Sequence, residues 1–149
     1  MTSWRDYLKL LDGLSHTLEQ LTQVEQDKNT AATQGDLPGV EACMKKEQVL
    51  SLSLRGADQK RDKMLAELGL KGVTLSQLED HSPPELQLET KRTVEELRRQ
   101  YTLFQAATEV VRNTLEVNLR EIERIQAVQA GDKGVAEEQR KNHQTDFRA

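Results

Sequence analysis

The chain has 149 residues and a formal net charge of −4, and 31% of its residues are charged, 36% hydrophobic and 3% aromatic. Lysines and arginines are interleaved with glutamates, so the sequence carries no basic footprint for nucleic acid, and the scarcity of aromatic residues argues against a sandwich or barrel. A single cysteine, Cys43, excludes an intramolecular disulfide and fits a reducing compartment. No apolar run reaches the length of a membrane span or resembles a signal peptide. We therefore expect a cytoplasmic protein of one elongated all-α domain.

The first predicted helix runs from about residue 3 to residue 34. Ser3 is suited to cap it, and Asp6 follows three residues later, where its charge faces the positive end of the helix dipole. Apolar residues then recur at steps of three and four, which predicts one packed seam along the helix. The seam consists of Trp4, Tyr7, Leu11, Leu14, Leu18 and Leu21. Gly35 ends the helix.

The second predicted helix spans about residues 37–68, with Asp36 as its cap and Pro38 in its first turn. The connection from the first helix is so short that the two must form an antiparallel αα-hairpin. Gly69 closes the second helix, whose apolar face drifts and whose centre is polar. A small capping box, Thr74 with Gln77, then predicts a short helix at about residues 74–80.

The third predicted helix, residues 83–130, is the element around which we expect the rest of the chain to be arranged. Ser82, Pro83 and Glu85 predict its start, as N-cap, first helical residue and capping-box partner. It would be about 70 Å long, against about 50 Å for each of the first two helices. The predicted fold is an elongated, coiled-coil-like three-helix bundle of residues 1–130, followed by a polar, mobile tail at residues 131–149.

The difference in length predicts that about a dozen residues of the third helix extend beyond the first two. The apolar seam nevertheless continues through this part, so we predict that it binds a partner helix. The residues of this candidate surface are Leu115, Asn118, Leu119, Ile122, Ile125 and Val128. Alternatively, staggered helices or a second copy of the chain cover the stripe. Thr108 and Asn118 interrupt the seam, either because they fix its register or because the seam is exposed there.

The sequence offers no constellation for catalysis or for binding a cofactor. His16 is predicted on the outer face of the first helix, where a phosphotransfer role is conceivable, but the lysine and glycine that follow the histidine in such domains are absent. One cysteine and three scattered histidines never approach metal-ligand spacing. No phosphate-binding loop or nucleophile motif occurs. We therefore expect neither an enzyme nor a protein that binds metals, cofactors or small-molecule substrates.

The order of elements resembles the FlgN-like flagellar export chaperones over about residues 5–128. The first helix ends in Gly35-Asp36-Leu37, and the second carries Lys46-Glu47-Gln48-Val49-Leu50 and ends in Met64-Leu65-Ala66-Glu67-Leu68-Gly69. The long third helix follows, with the segment from Asn113 to Ile125. The resemblance implies a cytoplasmic chaperone that keeps hook-filament junction (hook-associated) proteins soluble and unassembled. It would then deliver them to the export apparatus at the membrane.

In that family the C-terminal part binds the exported subunit's own amphipathic terminal helix, which would place the client on the stripe named above. The tail has no tyrosine and only Phe147 as an aromatic residue. This composition puts an aromatic contact with the export gate in doubt. The alternative function is a homodimeric coiled-coil scaffold or adaptor without a chaperone role, and the sequence leaves monomer and homodimer open.

Overall fold

A computed structural model describes residues 2–130, which contain four α-helices and no strand. The helices are α1 (Trp4–Thr33), α2 (Leu37–Glu67), α3 (Leu75–Leu78) and α4 (Gln87–Ala130), with 3₁₀ turns at Glu79–His81 and Pro84–Leu86. The predicted all-α bundle is confirmed. None of the helices in the described part is both long and apolar enough to span a membrane. The predicted tail, residues 131–149, lies outside the described residues.

The central element is α1, and the prediction that the long helix organises the chain is wrong. Helix α1 packs against both α2 and α4 along its length. Its buried surface is wider than the predicted seam, because Leu8 and Ser15 are buried as well as the seam residues. Helix α4 presents a narrower buried stripe. A helix that is buried on two neighbouring sides occupies the middle of a bundle, and α1 does so here.

Helices α1 and α2 form an antiparallel hairpin, and α4 runs parallel to α1. The hairpin turns at Gly35, whose φ of 69° suits glycine, and at Asp36, whose side chain accepts a hydrogen bond from the Gly39 amide. The direction of α4 follows from two contacts. Trp4 bonds Thr90 near the start of both helices, and Ala32 bonds Asn118 near the end of α1. We refer to the Trp4 end of the bundle as the lower half and to the hairpin end as the upper half.

The lower half contains the apolar core. Its large side chains come from α1, the end of α2, α3 and the first part of α4, and Leu11, Leu18, Val94 and Leu97 are completely buried. Burying a leucine side chain stabilises a fold by about 1.5–3 kcal/mol. The Tyr7 ring belongs to this core, and its hydroxyl accepts a hydrogen bond from Arg61 Nε at 3.2 Å. Much of the apolar burial is therefore concentrated at this end.

The predicted start of the long helix is wrong. Ser82 does not cap it: its Oγ is buried 2.8 Å from Thr90 Oγ1. Pro83 precedes another proline, which disfavours the helical conformation, and its ψ is 141°. A 3₁₀ turn therefore comes first, and α4 begins at Gln87. Thr90 Oγ1 also accepts the Trp4 indole N–H at 2.9 Å and donates to the Leu86 carbonyl.

The upper half holds a buried charged cluster in addition to a few apolar side chains such as Leu21. Glu25 of α1 is 5% exposed, and Lys28 Nζ lies 2.8 Å from Glu47 Oε1 of α2. The pKa of Glu25 is raised from 4.5 to about 7, chiefly because burial disfavours the charged carboxylate. The charge of Glu47 and a hydrogen bond shared with it raise that pKa further, whereas Lys28 opposes the shift.

Candidate functional site

Helix α4 extends beyond the end of α1. At the last turn of α1, the Thr114 hydroxyl donates to Asn29 Oδ1 at 2.5 Å, and Asn118 Nδ2 donates to the Ala32 carbonyl at 3.0 Å. Helix α1 ends at Thr33, whereas α4 continues to Ala130. Residues 119–130 therefore form an overhang that is about 18 Å long.

The apolar seam of α4 is more exposed in the overhang than beside α1. Val111, which faces α1, is only 2% exposed, and Leu115 and Leu119 are half-buried. Ile122 and Ile125 are 47% and 42% exposed, and Val128 is 75% exposed. These residues follow one another at steps of three or four, so they lie along one stripe of the helix. The stripe is buried against α1 at one end and accessible at the other.

Asn118 differs from the other residues of the predicted surface, because its side chain bonds the end of α1. The last carbonyls of a helix have no partners within the helix, and the Asn118 amide supplies a donor to the Ala32 carbonyl. This bond favours one axial register of α4 along α1. The first of the two roles considered for Asn118, register, is therefore the one that its contact supports. The hydroxyl of Thr108 is buried and has no hydrogen-bond partner among the described residues.

Charged side chains flank the exposed stripe. Glu121 and Arg124 form an exposed ion pair, with Arg124 Nη2 2.5 Å from Glu121 Oε1. The pKa of the Glu121 carboxyl is lowered, because Arg124 donates hydrogen bonds to it and adds a nearby positive charge. An apolar stripe between charged edges is the surface on which an amphipathic helix packs by its apolar face. The arrangement is suited to binding and offers no group activated for chemistry.

The side chains considered for chemistry lie apart from this surface. His16 is exposed on α1, whereas Cys43 is buried between the hairpin helices in the upper half. Burial raises the pKa of the Cys43 thiol, and the charge of Asp27 adds to this effect. Within residues 2–130, histidine, cysteine and acidic side chains do not gather into a group of three that could hold a metal ion.

Sequence reasoning missed two hydrogen bonds that position the overhang and one charged cluster within the hairpin. The Asn29–Thr114 bond and the Asn118–Ala32 bond join helices that are far apart in sequence. Hydrogen bonds between residues so far apart in sequence leave no local sequence pattern from which they could be predicted. The charged cluster around Glu25 left a signal, because Glu25 interrupts the apolar seam of the first helix at a position that should be buried.

Comparison with known protein families gave a match. A family model described as FlgN protein matches residues 1–133 of the chain, which includes all four helices and the overhang. No curated protein and no solved structure matches the chain.

Proposed function

Because the chain belongs to the FlgN family of flagellar export chaperones, we propose that it binds the helical terminal segments of hook-associated proteins in the cytoplasm. It keeps these clients soluble and unassembled until they reach the export apparatus at the membrane. The observation that carries the proposal is the exposed stripe of the overhang. Its binding residues are Leu119, Ile122, Ile125 and Val128, with Leu115 where the stripe meets α1.

The contacts of the stripe support a helical client. The four overhang residues cover about three turns of helix, and three of them are more than 40% exposed. Such spacing matches the i, i+3, i+4 and i+7 anchors of a helix that packs in parallel or antiparallel orientation. A client helix on the stripe would continue the packing that α1 provides below Asn118. Asn118 itself holds α1 and is proposed to border the client-binding surface.

The experiment compares client binding by single-charge variants. We expect Leu119→Asp and Ile122→Asp to weaken binding of a purified hook-filament junction protein at least tenfold, measured by calorimetry, because each places a carboxylate in an apolar contact. The matched control is Leu88→Asp, which changes a 63% exposed leucine at the other end of the same helix. Circular dichroism checks that helix content is unchanged.

Two results would overturn the proposed surface. If both overhang variants bind the client as well as the unsubstituted chain does, the client does not use the stripe. If Leu88→Asp weakens binding as strongly, the effect of added charge is general and not local. Either result would leave the family assignment intact, since that assignment depends on the sequence match and not on the stripe.

A homodimeric scaffold is the second candidate, and one observation favours it. Leu103, Val110 and Val117 recur every seven residues on α4 and are 43%, 52% and 60% exposed. Valines at such spacing are typical of two-stranded coiled coils. A dimer through this row would dissociate in Val110→Asp, whereas Ile122→Asp would leave it intact. Light scattering over a concentration series measures both, and a monomer at all concentrations excludes the scaffold.

A further inference from the structure

A long groove lies between the two helices of the hairpin. Its lower section has a volume of about 940 Å³ and is lined only by residues of α1, α2 and the segment before α1. The lining is mainly apolar or small. The residues that matter here are Leu10, Gly13 and Thr17 of α1, and Ser53, Ala57 and Met64 of α2. The overhang on α4 contributes nothing to this surface.

The groove continues toward the hairpin turn. A second section of about 470 Å³ is lined by Gln20 and Val24 of α1 and by Val49 and Leu50 of α2. These residues lie one turn above Thr17 on α1 and one turn before Ser53 on the antiparallel α2, so the two sections are consecutive. From Leu10 to Val24 the groove is about 21 Å long, which is about four turns of helix.

The dimensions of the groove suit a helix. A side chain at Gly13 would meet no atom within 4 Å, so the space above α1 is open at this point. The floor is low at Gly13 and Ala57, whereas Val49 stands 67% exposed beside the upper section. A helix packs with its axis about 8–10 Å from a neighbouring helix, and small side chains at the contact allow the closer approach. Because the side chains at Gly13 and Ala57 are small, a third helix can pack against both α1 and α2 and contact Val49 at the rim.

The side chains that line the groove carry more positive than negative charge, which favours a partner with acidic residues. Four lysines line it, Lys9 and Lys60 in the lower section and Lys45 and Lys46 in the upper. The two acidic residues, Asp6 and Glu67, belong to the lower section, and Glu67 already accepts a hydrogen bond from the Thr2 hydroxyl. The upper section has lysines and no acidic residue, although the whole chain has a net charge of −4. This local excess of positive charge complements an acidic partner.

We propose that the hairpin groove is a second protein-binding site, which takes an amphipathic helix with an apolar face and acidic flanks from a partner protein. The apolar face packs over Leu10, Ala57 and Leu50, and the acidic flank meets the lysines of the upper section. The site does not include the overhang, so the proposal stands or falls separately from the proposed function.

The test uses a synthetic probe and the full chain. The probe is a fluorescein-labelled 18-residue helical peptide with leucine and alanine on one face and glutamate on both flanks. Its partner control carries lysine in place of every glutamate. We expect the glutamate peptide to bind at least tenfold more tightly than the lysine peptide by fluorescence anisotropy, and its binding to weaken as salt is raised.

Substitutions then locate the binding. A Cβ atom at Gly13 would meet no other atom within 4 Å, so we expect Gly13→Leu to fold normally, to project into the groove and to lose at least tenfold in affinity for the peptide. The double change Lys45→Glu and Lys46→Glu should lose a similar factor, whereas Ile122→Asp in the overhang should bind as tightly as the unsubstituted chain.

Four outcomes would overturn the proposal. They are no binding of the glutamate peptide, equal binding of the two peptides, full affinity in Gly13→Leu, and loss of binding in Ile122→Asp. The last would show that the probe occupies the overhang. The two proposals can also fail separately. If the glutamate peptide binds in the groove while every overhang variant still binds the hook-associated client, the groove proposal is supported and the proposed client-binding surface is rejected.

Discussion

The two halves of the bundle bury different kinds of side chain. In the lower half, aromatic and aliphatic residues from the four helices and the turn before α4 form one continuous core around Leu11 and Leu97. In the upper half, the hairpin helices meet through Glu25, Lys28 and Glu47, and fewer large apolar side chains are buried there. The same helix, α1, thus passes from an apolar environment into a charged one.

The two halves are therefore expected to contribute unequally to the stability of the fold. Large apolar side chains provide most of the stability of a fold, whereas a buried charged cluster contributes little or even opposes folding. The lower half therefore anchors the three long helices. The upper half, from which the overhang projects, buries fewer large apolar side chains, and regions of that kind open more readily than the core does.

The largest effect is expected from a cavity in the lower core. Leu11 is completely buried, so Leu11→Ala should lower the free energy of unfolding by about 2–5 kcal/mol. Urea denaturation followed by the fluorescence of Trp4, the single tryptophan, measures the loss. The matched control is Leu52→Ala, because Leu52 is 65% exposed. A loss below about 1 kcal/mol at Leu11 would contradict the assignment of the core.

The next largest loss of stability is expected from the buried hydrogen bonds of Thr90 in the lower half. Thr90→Val keeps the shape of the side chain but leaves the Trp4 indole N–H without its acceptor. We expect a loss of about 1–3 kcal/mol, since an unsatisfied buried donor keeps its full desolvation cost. Thr102→Val on the exposed side of α4 is the control. Equal stability of the two variants would mean that the network contributes nothing.

The upper half should respond to pH near neutrality through Glu25. The folded-state pKa of Glu25 is raised from 4.5 to about 7, so the folded chain holds this proton more tightly than the unfolded chain. Stability is therefore greatest below pH 4.5 for this group and is lost as pH rises toward 7 and above. The loss is about 1–3 kcal/mol, since each pKa unit of difference between the folded and unfolded chain corresponds to about 1.4 kcal/mol.

Glu25→Gln tests this dependence. The neutral amide should remove the fall in stability between pH 5 and pH 8 and make the variant the more stable chain at pH 8, as measured by urea denaturation at each pH. Glu19→Gln, at an exposed position of the same helix, should retain the slope of the unsubstituted chain. An unchanged slope in Glu25→Gln would show that the cluster does not hold a proton at neutral pH.

Much of the architecture could be predicted from the sequence, because local signals and global packing agree. The apolar seam of α1 and the turn at Gly35 each follow from a local rule, and together they predict an all-α helical bundle. The central position of α1 could not be predicted, since it depends on Leu8 and Ser15, which lie off the seam. Residue spacing likewise could not show that Asn118 bonds α1, because that contact joins positions far apart in the chain.

The smallest effect is expected at Asn118, and it separates the two halves most directly. Asn118→Ala removes one hydrogen bond to the end of α1, which should cost about 0.5–1.5 kcal/mol. We expect this loss of stability to affect mainly the upper half. Cys43, the only cysteine of the chain, is buried in that half and reports on its opening. Thiol labelling of Cys43 should therefore accelerate severalfold, while unfolding monitored at Trp4 changes little. Asn113→Ala, at an exposed position of the same helix, should alter neither measurement. If labelling of Cys43 and unfolding at Trp4 shifted together, the bundle would open as one unit, and the distinction between a stable lower half and a loosely held upper half would be lost.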